Sequence, residues 1–179
     1  MNVKKPHSID TDWYDQPLSP PAQISIYQKD GGLFLHASRE DSCQPHPLAQ
    51  PSQFYEGLWK FDVAEAFFFE PESNRYLEVN LAPSGSWWAC WHSGIRQREA
   101  QQPSFQGVRA SGTVESSRWE ASLFLPDSLF SEIKTLRFNA TFILNSPAQT
   151  FHSLAKLTGE QPDFHQPQHF VPLQLGVPA

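Results

Sequence analysis

The chain has two cysteines in 179 residues, Cys43 and Cys90. Two cannot build a disulfide framework, and neither stands in a CxxC pair of the kind that holds zinc. Their expected state is a pair of free thiols. No apolar run approaches the ~20 residues needed to span a bilayer as a helix, so no membrane segment is expected. Charged residues make up 18%, with a formal net charge of -6 and no block of Lys and Arg, which argues against a nucleic-acid-binding face. At the N-terminus, Lys4 and Lys5 are followed by Asp10 and Asp12 where a signal peptide needs its apolar stretch. The expected location is therefore cytoplasmic. Helix signals are scarce too, because 16 prolines are spread along the chain and no long stretch carries a 3.6-residue apolar period with caps.

Rings and strand patterns are plentiful by contrast. Aromatic residues reach 13%, with 14 Phe and 6 Trp, enough apolar area to offset the entropy of ordering a core. The length is that of one domain, taken as residues 1–179. Two β-prone runs, Ala22 to Tyr27 and Leu33 to Ala37, flank Lys29-Asp30-Gly31-Gly32 and read as a hairpin. The densest β region follows a Pro-rich loop over 43–53. Three strands are expected there, Leu58 to Phe69, Arg75 to Leu81 and Trp87 to His92, with turns at 70–74 and 83–85. Further strands are expected over 111–114, 118–125, 136–144 and 171–175. Pro126 to Ile133 is the one candidate helix, with Asp127 or Ser128 as its N-cap. The fold class is all-β: an antiparallel sandwich, jelly-roll-like, with at most one or two short helices.

Alternation along a strand assigns faces. Leu77, Val79 and Leu81 share one face, and Tyr76, Glu78 and Asn80 the other. Phe138, Ala140, Phe142 and Leu144 oppose Arg137, Asn139, Thr141 and Ile143. In the first meander strand Glu65 shares its face with Val63, Phe67 and Phe69. A carboxylate in that company needs a partner or a ligand. Trp87 and Trp91 fall on one face, and Trp88 joins Cys90 and His92 on the other. An indole on a polar face can stack on the apolar C–H side of a sugar ring.

Three segments in order then resemble a known family. Asp62 to Phe68, then Tyr76-Leu77-Glu78-Val79-Asn80, then Pro83-Ser84-Gly85-Ser86-Trp87, are similar to the DOMON-like domains related to family 9 carbohydrate-binding modules. Arg137-Phe138-Asn139, Phe151-His152-Ser153 and the stretch Pro162 to Phe170 extend the likeness, which covers roughly residues 56–175. The resemblance implies a β-sandwich with a ligand cleft on one sheet, for a sugar in many relatives. Carried over residue by residue, Glu65, Trp88, Arg137 and Asn139 would line that cleft, with Glu78, Asn80 and Trp91 as further candidates.

Other chemistries fit less well. Two carboxylates, Glu65 and Glu78, could flank a glycosidic bond, but carboxylates that anchor turns or face solvent are far commoner. No Gly-x-Ser-x-Gly elbow is present for a serine hydrolase. Asp163, His165 and His169 are the only cluster with metal-ligand chemistry, and a role in pinning their Pro-rich loop is preferred. Met1 is the only methionine, which leaves no Met/His haem site, although some DOMON-like domains bind haem. The expectation is a non-catalytic domain without cofactor that binds a mono- or oligosaccharide. The alternatives are a protein-interaction domain that kept the fold without the sugar and, further off, a haem domain.

Overall fold

The computed structural model describes residues 6–130 and 135–173, which form two antiparallel sheets packed face to face. Strands β1 (His7–Thr11), β2 (Pro17–Lys29), β3 (Gly32–Arg39), β8 (Arg109–Val114) and β9 (Trp119–Pro126) form one sheet, in the order β1-β2-β3-β9-β8. The other holds β4 (Val63–Glu70), β5 (Arg75–Leu81), β6 (Trp87–Gly94), β7 (Gln97–Arg98), β10 (Arg137–Leu144) and β11 (Thr150–Ser153). Its order is β11-β10-β4-β5-β6-β7, and a short β12 (Val171–Pro172) also pairs with β10. Among the described residues no helix is long and apolar enough to cross a membrane.

The expected meander is present as β4, β5 and β6, and its inner face is packed by size. On β4 the inward residues are Ala64, Ala66 and Phe68. Their partners are Leu81, Val79 and Leu77 on β5, and Phe142, Ala140 and Phe138 on β10. Small side chains on the central strand thus leave room for larger ones beside and opposite them, as a close-packed interior requires. Ile24, Leu35, Trp119 and Leu123 of the five-stranded sheet close the same core. The β5–β6 turn ties the sheets at one end. Gly85, at φ 86°, lies so near Gly112 of β8 that a Cβ on Gly112 would fall 2.2 Å from the Pro83 carbonyl oxygen.

Several boundaries differ from those read in the sequence. Residues 58–62 precede the first meander strand instead of opening it, and Leu58–Lys60 form a single 3-10 turn after Gly57 at φ 94°. The candidate helix is a 3-10 turn over Asp127–Leu129 with Pro126 at its N-cap and no side-chain cap, and positions 131–134 lie outside the described residues. Positions 174 and 175 of the last expected strand lie outside them as well. Strands β1, β7 and β11 had no sequence signal, for β1 buries only Ile9 and β7 has two residues.

Candidate functional site

The outer face of the seven-stranded sheet, turned away from the inter-sheet core, carries most of the polar residues singled out above. Strand register sets them in rows. One row across β10, β4, β5 and β6 reads Thr141, Glu65, Asn80, Trp88, and the next reads Asn139, Phe67, Glu78, Cys90. A third reads Arg137, Phe69, Tyr76, His92. Loops fold over these rows and bring a second apolar cluster that includes Leu58, Trp59, Phe164 and Phe170. Where the cover is incomplete, a cleft of about 330 Å³ opens over the sheet. Glu65, Glu78, Trp88 and His92 form its floor. Trp59, Ile143, Phe151 and Phe164 wall it, and Arg96, Arg98, Asp163 and His165 stand at the rim.

The floor is buried and sparsely partnered. Glu65 is 3% exposed, and its Oε2 accepts a hydrogen bond from Thr141 Oγ1 at 3.0 Å. Burial pushes its carboxyl up to about 8, the negative charge of Glu78 adds to this, and the Thr141 bond offsets part of it. Glu65 is therefore largely a neutral acid at pH 7. Oε2 of Glu78 lies 3.1 Å from Nε2 of His92, at ion-pair distance but off the angle of a formed hydrogen bond. Among the described residues, Nδ1 of His92 and both amide atoms of Asn80 meet no hydrogen-bond partner. Buried polar groups normally find partners, so these open valences at and beneath the floor are an unusual concentration.

The His92 ring is fixed from one side. It stacks on Tyr76 with centroids 4.5 Å apart and planes 6° from parallel. The Tyr76 hydroxyl accepts the Arg96 backbone N–H at 3.0 Å and meets Nδ1 of His165 at 2.8 Å. Burial lowers the pKa of His165 and raises that of Tyr76 to about 12, so this pair stays uncharged. At the rim Arg96 pairs with Asp163 at 3.0 Å, and Arg98 with Glu56 at 2.6 Å. The Arg98 guanidinium lies 5.1 Å from the centre of the Trp88 ring, and Trp59 meets that ring edge-on at 5.3 Å. Trp88 is thus 3% exposed, and Trp59 is the more accessible indole.

Of the seven residues proposed from sequence, Glu65, Glu78 and Trp88 border the cleft. Asn80 lies beneath it, between Glu65 and Trp88. Arg137 and Asn139 occupy the same face but do not border it. Arg137 sits at the start of β10 between Phe69 and Pro172, and the Asn139 amide joins Ser153 Oγ at 2.9 Å and Ala155 N at 2.8 Å. Trp91 is on the opposite face. It pairs with Leu77 inside the inter-sheet core, because alternation puts it one face away from Trp88. His92 also borders the cleft, and the alternation that sets it beside Trp88 is its signal in the sequence. Trp59, Arg96 and Arg98 lie in loops or at a hairpin end and carry none. Asp163 and His165 are engaged with Arg96 and Tyr76, and among the described residues no group of three or more His, Cys, Asp or Glu stands ready for a metal ion. Cys43 and Cys90 are both free.

No protein-family model matches the chain. Curated relatives do. The UPF0462 protein C4orf33 homolog of Rattus norvegicus is 31% identical over 180 residues, covering 94% of this chain and 87% of its own. The chain belongs to the UPF0462 family. Human UPF0462 protein C4orf33 is likewise 31% identical, with 90% of this chain and 84% of the human protein covered. Among solved structures, a Bacteroides uniformis protein proposed to bind carbohydrate superposes with a TM-score of 0.76 at 18% identity, over 96% of this chain and 86% of that one. A family 9 carbohydrate-binding module from Caldicellulosiruptor kristjanssonii, in complex with glucose, gives 0.62 at 11% identity, over 99% and 86%. At those identities the likeness is one of fold: this UPF0462 chain is a sandwich of the family 9 module type.

Proposed function

We propose that this UPF0462 chain is a carbohydrate-binding domain that takes a mono- or disaccharide in the cleft on the outer face of its seven-stranded sheet. The observation that carries the proposal is the pairing of a buried, under-partnered polar floor with aromatic walls. Glu78, His92 and Glu65 offer acceptors and donors for hydroxyl groups, and Trp59 offers an indole plane for the apolar face of a ring. A cleft near 330 Å³ is at the small end of ligand sites, sized for one or two sugar rings. The fold shared with a glucose-bound module supports the reading, and the motif order supports a wider kinship with DOMON-like domains.

Isothermal calorimetry or thermal shift against a panel of mono- and disaccharides tests it. A hit weakened about 10-fold or more by Trp59→Ala or Glu78→Gln is expected, since one such contact is worth roughly 1–3 kcal/mol. No binding of any sugar at millimolar concentration overturns it. Trp59 is the better probe than Trp88, whose ring is covered by Arg98 and whose loss would damage the floor of the cleft.

A further inference from the structure

Binding alone does not call for the arrangement of the two acids. A neutral hydroxyl is held well by an exposed or rim carboxylate, whereas Glu65 and Glu78 are both more than nine-tenths buried on one floor. Glu65 faces Asn80 across the β4–β5 ladder and Glu78 faces Phe67, so the acids are diagonal neighbours, about 7–8 Å apart at the backbone. Their polar neighbours differ. Glu65 receives the Thr141 hydroxyl on Oε2, which leaves Oε1 as the oxygen to carry the acid proton. Glu78 has Oε2 turned to His92, which leaves its Oε1 open. Burial and the Thr141 hydroxyl suit Glu65 to hold a proton, and Glu78, turned toward His92, is the neighbouring carboxyl placed to take one.

We propose that the cleft is a mutarotase site for an aldose, with Glu65 the general acid and Glu78 the general base. The proposal rests on a sugar entering the cleft. The ring oxygen and the anomeric hydroxyl hang on a single carbon, so an acid and a base on the same side of the ring reach both. Glycoside hydrolysis needs a group on the opposite face as well, and both acids here rise from one sheet. In the step, Glu78 takes the proton of the anomeric hydroxyl, whose electron pair forms the C=O bond. The bond from C1 to the ring oxygen breaks, and that oxygen takes the Glu65 proton. The open-chain aldehyde turns about C1–C2, and closure on the other face returns each proton to its source. Nothing is oxidised or reduced, and no co-reactant is consumed. His92 is a positioning residue for Glu78, held in turn by the Tyr76 stack.

The test follows the approach to anomeric equilibrium of freshly dissolved α-glucose, α-galactose and α-xylose by polarimetry, with the full chain in dilute buffer. A rate that rises in proportion to protein concentration is expected. Glu65→Gln and Glu78→Gln should each lower that increment about 100-fold or more, the range of general acid–base catalysis. The loss should persist at saturating sugar, which separates chemistry from binding, and a far-ultraviolet circular dichroism spectrum like the parent's for each variant separates it from folding. A sugar that binds with no rate above buffer overturns the mutarotase assignment and leaves the binding proposal standing. A rate unchanged in both variants overturns the assignment of the two acids. Absence of binding and of rate with every sugar overturns both proposals.

Discussion

Glu65 shows how one buried side chain can set a pH response. Its carboxyl titrates near 8 in the fold against 4.5 when exposed, so the folded state holds a proton that the unfolded chain releases between those values. Below pH 4.5 both states are protonated and Glu65 adds no penalty. As pH rises from 4.5 toward 8, stability falls, and beyond 8 the loss is complete. His152 and His165, both lowered by burial, act in the opposite sense, losing stability as pH falls through their ordinary range. The Glu65 part is isolated by difference: in urea unfolding, the stability of the parent relative to Glu65→Gln should fall as pH rises from 4.5 to 8. Asp62 makes a contrasting case. Its two carboxylate oxygens each accept a backbone N–H, from Gln44 at 3.0 Å and Ser146 at 2.8 Å, and so tie two loops to the start of β4. Asp62→Asn keeps the shape but replaces one acceptor with a donor. A loss of about 1–3 kcal/mol in chemical denaturation is expected.

At the level of the strands, what could be read beforehand depended on how many residues each one buries. The faces of β4, β5 and β10 were legible because alternation runs unbroken across them, with Ala66, Val79 and Ala140 on one side and Glu65, Asn80 and Thr141 on the other. Strand β1 was not, because a lone buried Ile9 makes no pattern. The Pro-rich start of β2 hid as well, since Pro17, Pro20 and Pro21 lack the N–H groups that a central strand would use. The contact between the β5–β6 turn and β8 gives a test at this scale. Gly112→Ala would place a methyl against the Pro83 carbonyl and the Gly85 backbone, neither of which is a flexible side-chain end. Overpacking of this kind costs about 1–3 kcal/mol, and thermal unfolding should detect it.

Across the whole molecule the cleft joins a strand-built floor to walls drawn from strands and loops, with Ile143 on β10, Phe151 on β11, and Trp59 and Phe164 outside the strands. Glu65, Glu78 and Trp88 could be proposed because each sits in a regular strand whose neighbours fix its direction. Arg137 and Asn139 share that face and the rows of His92 and Glu78, but they stand on β10, to one side of the opening, where Ser153 and Ala155 engage the Asn139 amide, a placement that composition does not encode. Trp59, Arg96 and Arg98 arrive through turns, where period carries no information. If a sugar fills the cleft at 100 times its Kd, the complex gains about 2.7 kcal/mol, which for a chain of this length is a rise in Tm of about 5–11 °C. A scan with and without the ligand found by calorimetry measures that gain directly.

The bond from Thr141 to Glu65 has a consequence in time as well as in space. It joins residues 76 apart, and the β4–β10 ladder around it is equally non-local. During synthesis β4, β5 and β6 can form their meander early, but one edge of β4 then waits, with its backbone groups unpaired, until β10 has been made. Contacts of such sequence separation slow folding, and an open hydrophobic edge is where nascent chains associate. Truncation before Arg137 should therefore leave a chain that aggregates rather than a smaller sandwich, and the acid at the cleft floor will be among the last groups to find its place.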